Sequence, residues 1–308
     1  MLRLAISLIG IASALVAQPV QLTYLGTAGW QIANGQTVIL IDPYFTRAKA
    51  NSPNDAVSPD DARPLVTGNS IVPSDTAVID THIQRADYIF LTHTHPDHSL
   101  DMPYIARKTG ALVIGTESTG NLARVSGVPE AQIKIVKGGD ELKLDGFSVR
   151  VISSVHGIFS RPAPSAPVRP IPLFPADAKP PIRFGQHVEG GTLAYLIRIG
   201  GHQIVVFGSM NYIESEVTGL RPDVALVGAM PERNNIDDYT PRLMRALGNP
   251  PLVLPTHWDR FNVPHSVSQQ PAVDRLQSFI AEVKAASPKT RVIVPEYFKP
   301  ISLDAPAR

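Results

Sequence analysis

The chain has 308 residues, of which 44% are hydrophobic and 18% charged, and its formal net charge is +1. A chain of this length and composition can bury a sizeable core, as one large domain or two small ones, which excludes a disordered protein. Near neutrality without a run of Lys or Arg argues against a nucleic-acid partner. The absence of cysteine excludes disulfides and leaves His, Asp and Glu as the ligands for any metal.

The N-terminus has the layout of a secretory signal peptide. Arg3 precedes an apolar stretch over residues 4–17, which is too short to span a bilayer comfortably. The stretch ends in small residues, and Ala14 and Ala17 are both candidate cleavage positions. A buried first strand or helix is the alternative. We therefore expect residues 1–17 to be removed on export to the periplasm or beyond, which leaves no transmembrane segment.

Strands dominate the first half of the chain. VQLTYLG, GWQIANG and QTVILIDP read as three strands separated by Gly-rich turns. The polar, Pro-rich residues 46–80 then predict a long surface excursion. A buried strand at 86–91 precedes a helix over about 99–108, which Ser99 or Asp101 can cap.

Later elements alternate between strands and helices. ALVIG, QIKIV, ELKL and FSVRVISS read as strands, with a helix over 118–125 and a hairpin turn at Asp145-Gly146. Prolines make 161–182 a stiff exposed loop. A hairpin at Gly200-Gly201 follows, and then the strands PDVALVG, LVLP and RVIVP with helices near 241–247 and 273–285. Because no flexible linker divides residues 18–308, we expect one domain, with the loop at 161–182 as the only competing boundary.

Three histidines and two acids crowd the segment LTHTHPDHSLD, which follows an apolar strand directly. Residues two apart in an extended segment point the same way, so His93 and His95 can share one cation. Asp97 and His98 lie beyond a proline and turn toward a neighbouring position. Neutral imidazole and carboxylate suit zinc or a similar divalent ion. A solvated polar loop is the alternative, but the position at a strand end favours a metal centre.

Two further histidines follow apolar strands: His156 comes after VRVIS and His257 after LVLP. Taken alone, each could be a satisfied core histidine. Together with the 91–101 segment, they bring to five the histidines that stand just beyond strands, out of nine in the chain. This gathering favours a shared site.

THTHPDHS resembles the signature of the metallo-β-lactamase superfamily. Further stretches are similar to its other motifs in the same order: VILIDP, SSVHG, VVFGSMNY and LPTHWDRF. The resemblance implies an α/β fold, a four-layer αββα sandwich of two mixed sheets flanked by helices, with a metal centre at one edge. LIDP, S-x-x-H-G and T-H-W-D-x-F look most similar to the branch of ascorbate-6-phosphate lactonases and N-acyl-phosphatidylethanolamine phospholipase D.

The resemblance also implies a ligand set. One metal would be held by His93, His95 and His156, and a second by Asp97, His98 and His257. Asp42 would brace the ligand loop from behind. Zinc is the expected cofactor, as one or two ions, with manganese or iron as alternatives.

One motif departs from the family pattern. Most members carry a metal-bridging aspartate in the fourth motif, where this chain has Ser209, with Asn211 two residues on. A bridging carboxylate offsets the repulsion of two dications about 3.5–4 Å apart. We therefore expect one firmly held metal and a second, labile one.

The resemblance implies a hydrolase that uses metal-activated water to cleave an ester, lactone or phosphodiester bond of a small molecule, and the predicted leader indicates that this hydrolase is exported. Asp97 would orient that water or accept its proton. Ile171, Leu173 and Phe174 give the Pro-rich loop an apolar face, which suggests a hydrophobic or acyl-bearing substrate. A β-lactam hydrolase and a metal-binding protein without catalysis are the alternatives.

Several other residues have two interpretations each. His187 and His265 are ordinary surface histidines or face the pocket mouth, with the first favoured, and His82 and His202 read as surface residues. Arg233, after Glu232, holds an anionic group or belongs to a solvated loop pair. The aromatic residues near the ligand strands line an apolar wall or pack in the core: Tyr44, Phe45, Trp258 and Phe261.

Overall fold

The computed structural model describes residues 19–52, 54–158 and 170–303. The predicted leader at 1–17 and part of the Pro-rich loop therefore lie outside the described residues. In the part of the chain that the structure describes, no helix is both long and apolar enough to cross a bilayer.

The strands follow one another along the whole of the described chain. They are β1 (Gln21–Gly26), β2 (Gly29–Ala33), β3 (Val38–Ile41), β4 (Tyr88–Phe90), β5 (Leu112–Gly115), β6 (Ile133–Ile135), β7 (Glu141–Leu144), β8 (Phe147–Ser153), β9 (Leu193–Ile199), β10 (His202–Phe207), β11 (Val224–Gly228), β12 (Leu252–Thr256), β13 (Arg291–Val292) and β14 (Pro300–Ser302). The α-helices are α1 (Thr76–His82), α2 (Pro96–Ser99), α3 (Met102–Thr109), α4 (Glu117–Val125), α5 (Glu214–Val217), α6 (Tyr239–Ala246) and α7 (Gln270–Ala286).

These strands form two mixed sheets of seven strands each. The first has the order β14-β1-β2-β3-β4-β5-β6, and the second has the order β13-β12-β11-β10-β9-β8-β7. In the first sheet the pairs from β3 to β6 are parallel and the others antiparallel. In the second sheet the pairs from β10 to β13 are parallel and the others antiparallel.

Alternation along the strands separates two hydrophobic clusters. Ile39 and Ile41 of β3 belong to the cluster that includes buried residues of both sheets, whereas Leu40 belongs to a second cluster with residues of α1 and α3. This follows from the period of two in a strand, which points successive side chains to opposite faces. Phe279 and other apolar residues of α6 and α7 join the first cluster. The layers are therefore helix, sheet, sheet, helix.

Most predicted elements are present, with differences at the ends of helices. The predicted helix over 99–108 is two helices, α2 and α3, and neither Ser99 nor Asp101 caps it with its side chain. The hairpin turns at Asp145-Gly146 and Gly200-Gly201 are as predicted, with positive φ at Gly146, Gly200 and Gly201. The excursion over 46–80 contains the start of α1, which the sequence analysis missed, and β14 was also missed.

Candidate metal centre

The candidate ligands lie at one edge of the two sheets, each just beyond a strand. The segment with His93 and His95 follows β4 of the first sheet, whereas His156 and His257 follow β8 and β12 of the second. The structure brings the six together as two groups whose ligand atoms lie within 4.8 Å of one another: His93, His95 and His156; and Asp97, His98 and His257. The rings of His93 and His98 are 3.9 Å apart between centroids, so the two groups adjoin.

Hydrogen bonds at Nδ1 determine which ring nitrogen of three histidines carries a lone pair. The Nδ1–H of His156 donates to the carbonyl of Gly157 at 2.8 Å, and that of His98 donates to Asp42 Oδ2 at 2.9 Å. Thr92 Oγ1 gives its own proton to Asp42, so it accepts from Nδ1 of His93 at 3.1 Å. The network thus assigns the lone pair to Nε2 in all three rings, as in most metal-binding histidines.

Asp42 organises the second group from behind. Its carboxylate is fully buried and accepts from the amide and hydroxyl of Thr92, at 2.7 and 2.5 Å, and from His98. Gly208 packs against this arrangement, since a Cβ there would meet Thr92 Oγ1 at 1.9 Å. The approach of β10 to the ligand loop therefore requires glycine at this position.

Electrostatics favour neutral rings at His93 and His95 and a charged carboxylate at Asp97. Burial, reinforced by the neighbouring histidines, lowers the pKa of His93 well below its usual value and lowers that of His95 to about 4. Burial would raise the pKa of Asp97, but His98 and His257 hold it below the usual range. Burial would lower the pKa of His98, but Asp97 and Asp42 raise it. Neutral imidazole and ionised carboxylate are the forms that bind metals.

Two observations test whether a metal fits. Nε2 of His93 is a buried acceptor with no hydrogen-bond partner among the described residues. Asp97 Oδ2 lies 3.1 Å from Nε2 of His257 and 3.5 Å from Nε2 of His98. Ligand atoms about 2.0–2.1 Å from a tetrahedral zinc are about 3.3 Å apart, so these separations match one coordination sphere. The residues present therefore fit a divalent ion.

Ser209 and Asn211 act on the backbone around His156. Ser209 Oγ accepts the amide of Gly157 at 2.8 Å, and the side-chain amide of Asn211 donates to the carbonyl of His156 at 3.1 Å. These two residues hold the His156 loop from both sides.

A cavity of about 290 Å³ opens beside both groups. Besides residues of the two groups, it is lined by Tyr44, Ala48, Ala50, Asn51, Pro96, Phe184, Met210, Met230 and Phe261. Tyr44 and Phe261 thus line the predicted wall, whereas Phe45 and Trp258 pack in the core. The sequence analysis did not predict the large apolar lining residues Phe184, Met210 and Met230, of which Met210 could have been found beside Ser209 in the fourth motif.

The apolar face predicted for the Pro-rich loop is wrong in its described part. Phe174 is buried in the second hydrophobic cluster, and its backbone amide donates to Ser118 Oγ at 3.0 Å. Ile171 and Leu173 are exposed, and none of the three lines the cavity. Residues 159–169 lie outside the described part of the chain.

The remaining candidates have structural roles. His187 and His202 are buried rather than at the surface, and His187 Nδ1 donates to Ser99 Oγ at 2.8 Å. His265 donates to the carbonyl of Leu25 at 3.0 Å, and neither His187 nor His265 lines the cavity.

The two other uncertain positions are also resolved. His82 stacks on Phe298, with 3.6 Å between ring centroids. Arg233 is 2% exposed and pairs with Glu282 at 2.6 Å, while Glu232 accepts from Asn54. An anion site and a solvated pair are both wrong for Arg233, because its guanidinium is committed to Glu282, Ser278 and backbone carbonyls.

A family model described as a beta-lactamase superfamily domain matches residues 21–257. The chain belongs to the metallo-β-lactamase superfamily. The predicted superfamily and its fold of two mixed sheets flanked by helices are therefore confirmed. The greater similarity to the lactonase and phospholipase branch stays a prediction.

Known relatives and solved structures agree with this membership. The UPF0173 metal-dependent hydrolase of Symbiobacterium thermophilum is 26% identical over 256 residues, which cover 79% of this chain and 86% of that protein. Three further proteins of that name align over 44–49% of their own length, whereas the one from Paracoccus denitrificans is 26% identical over 287 residues, which cover 92% of this chain and 100% of that protein. The isothiocyanate hydrolase from Delia radicum gut bacteria has a TM-score of 0.56 at 18% identity, with 92% of this chain and 99% of that one covered. Igni18, a metallo hydrolase from Ignicoccus hospitalis, has a TM-score of 0.55 at 18% identity over 93% and 99%. At these identities the structures show the fold alone.

Proposed function

We propose that this protein is a metal-dependent hydrolase of small molecules, which cleaves an ester, lactone or phosphodiester bond. The observation that carries the proposal is the pair of three-residue groups beside one cavity, with Nδ1 of His93, His98 and His156 engaged so that Nε2 is the ligand atom. The names of the aligned relatives support the same reaction class. Zinc is the proposed ion, because nitrogen and carboxylate ligands suit it.

A divalent ion at these groups would supply hydroxide from water at neutral pH and polarise the bond under attack. His93, His95 and His156 would hold the first ion, and Asp97, His98 and His257 the second. Asp97 lies between His98 and His257 and is ionised, with a pKa below the usual range, so it is placed to orient the attacking water as a hydrogen-bond acceptor.

Tyr44 offers a hydrogen-bond donor at the same cavity. Its hydroxyl accepts the amide of Ala48 at 2.7 Å, and no described residue accepts the phenolic proton. Burial raises the pKa of Tyr44, so the proton is retained at neutral pH. We assign this O–H to the substrate oxygen on which negative charge develops.

The test combines metal content with turnover. Elemental analysis of the purified protein identifies the ion among zinc, manganese and iron, and a panel of aryl esters, lactones, phosphodiesters and nitrocefin identifies the bond. We expect chelation to abolish turnover and added metal to restore it.

His95→Ala should lose both bound metal and turnover, because it removes one of three ligands from the first group. His82→Ala is the matched control, since His82 stacks on Phe298 outside the site and should keep both. Turnover that survives complete metal removal would refute the proposal.

We also propose that the protein is exported and that residues 18–308 fold as one domain. Arg3 and the apolar stretch over 4–17 support export. N-terminal sequencing of protein from the periplasm and the medium should begin after Ala14 or Ala17, and a protein found only in the cytoplasm with Met1 retained would contradict export.

A further inference from the structure

The wall of the cavity beside the ligand groups is built largely from apolar side chains. Phe184, Met210, Met230 and Phe261 line it, together with Ala48 and Ala50. Among the described lining residues none is Lys or Arg, and the charged or titratable side chains are those of the two ligand groups and Tyr44. A substrate group that lies away from the bond under attack therefore meets hydrocarbon, thioether and aromatic surface.

This wall adjoins the ligands directly. The ring of Phe261 packs edge-on against His257, with 5.3 Å between centroids and 89° between planes. Met210 follows Ser209, whose hydroxyl holds the loop that carries His156. A substrate whose bond reaches the ligand groups must therefore lay its adjoining substituent on these side chains.

Resting on the proposed function, we propose that the site selects esters or lactones whose acyl part is apolar and uncharged. Phe184 and Phe261 are only partly buried, so a bound acyl group would cover aromatic surface that is otherwise wet. Each methylene buried there contributes about a threefold to fourfold gain in kcat/KM. A carboxylate at the far end of the acyl chain finds no cation among the described lining residues and loses its hydration.

A matched ester pair tests this selection on the metal-loaded protein. 4-Nitrophenyl hexanoate and mono-4-nitrophenyl adipate have the same leaving group and chain length, and differ by a methyl group against a carboxylate. We expect kcat/KM to be at least tenfold higher for the hexanoate, and to rise from acetate through butanoate to hexanoate. Equal or reversed preference would overturn the inference and leave the hydrolase proposal standing.

One variant should change the preference. Phe184→Arg places a guanidinium on the wall, so it should bring the adipate and hexanoate values within about threefold of each other by pairing with the carboxylate. Leu173→Arg is the matched control, because Leu173 is 65% exposed and outside the cavity. An equal change in both variants would mean that net charge, and not the wall, determines the preference.

Binding gives a readout that does not depend on turnover. Calorimetry of the metal-free protein with 1-phenylhexan-1-one and with 6-oxo-6-phenylhexanoate, which cannot be hydrolysed, should show binding of the neutral ketone only. Tighter binding of the anion would overturn the inference. Binding of the ketone without hydrolysis of any ester would instead refute the proposed reaction and retain the apolar site.

Discussion

Asp42 illustrates how one side chain determines the chemistry of another. Its two oxygens accept from the amide and hydroxyl of Thr92 and from Nδ1 of His98, and its backbone has a positive φ of 41°. A non-glycine residue is held there only when its surroundings compensate. The three hydrogen bonds provide that compensation and direct Nε2 of His98 toward Asp97.

Asp42→Asn should weaken metal binding at the second group by about 10- to 100-fold, because the amide donates where Asp42 accepts and so misplaces His98. Competition with a chromophoric chelator measures the two affinities separately, and the first group should change less. Asp75→Asn, at the exposed N-cap of α1, makes the same chemical change and should leave both affinities unaltered. Equal affinities in Asp42→Asn and the parent protein would show that Asp42 is dispensable.

The sequence identifies the residues of the candidate metal centre, but it does not predict their hydrogen-bond partners. Asp42 and the six candidate ligands follow strands, and a residue's position after a strand is readable from hydrophobic runs. The sequence marks Ser209 only as the replacement of a metal-bridging acid, whereas its hydroxyl accepts the amide of Gly157. Residue type alone does not determine which of several nearby groups a short hydroxyl will bond.

The single turn α2 and the segment around His187 support each other. Ser99 Oγ donates to the carbonyls of Thr94 and His95, at 2.9 and 3.0 Å, so it can accept from Nδ1 of His187. His187 thereby braces the backbone of the ligand segment without touching the cavity. Burial lowers the pKa of His187 to about 4.

The stability of the protein should therefore fall as the pH drops from about 6.5 to about 4. Below pH 6.5 the unfolded chain binds a proton at His187, whereas the folded chain binds it only near pH 4. This difference in pKa lowers the free energy of unfolding by about 3 kcal/mol at most. Urea unfolding of His187→Gln between pH 4 and pH 8 should show a correspondingly smaller loss. Measurements at pH 8, where both states are neutral, isolate the packing cost, and parallel pH profiles would contradict this role.

The sequence predicts those helices and strands that have a long hydrophobic pattern or a specific turn sequence beside them. The Gly200-Gly201 hairpin and the strands of four or more apolar residues are examples. The sequence does not predict α1, because this helix lies at the end of a polar, Pro-rich segment. It does not predict β14 either, because a strand of three residues is too short to show an alternation of apolar and polar side chains. α3 begins beyond α2 because Asp101 accepts the amides of Phe45 and Thr46, a contact between distant segments.

A buried network ties the two sheets together near the site. Asp259, beyond β12, accepts from the amide of Thr27, the hydroxyls of Tyr24 and Tyr297, and the guanidinium of Arg47 at 2.8 Å. Arg47 and Asp259 are 1% and 0% exposed at their side chains. The four layers and the two mixed sheets could be expected from the family resemblance, but a pair 212 residues apart leaves no local pattern.

Removing either charge alone should cost about 3–5 kcal/mol of unfolding free energy, because the other is left buried and unpaired. Arg47→Met and Asp259→Asn test this in urea, and the double variant should lose less than the two single losses combined. Additive losses would show that the two side chains are not coupled. Arg85→Met is the control, since the Arg85–Asp87 pair is exposed and contributes little.

The candidate ligands come from both sheets, and that division has a consequence beyond catalysis. A cation bound by His93 and His95, which follow a strand of one sheet, and by His156, which follows a strand of the other, would link the two sheets. Because the unfolded chain lacks this site, binding of the ion would stabilise the folded state. When the free ion is at a hundred times its Kd, one such bound ion adds about 2.7 kcal/mol to the free energy of unfolding. The melting temperature would then rise with the concentration of the free ion.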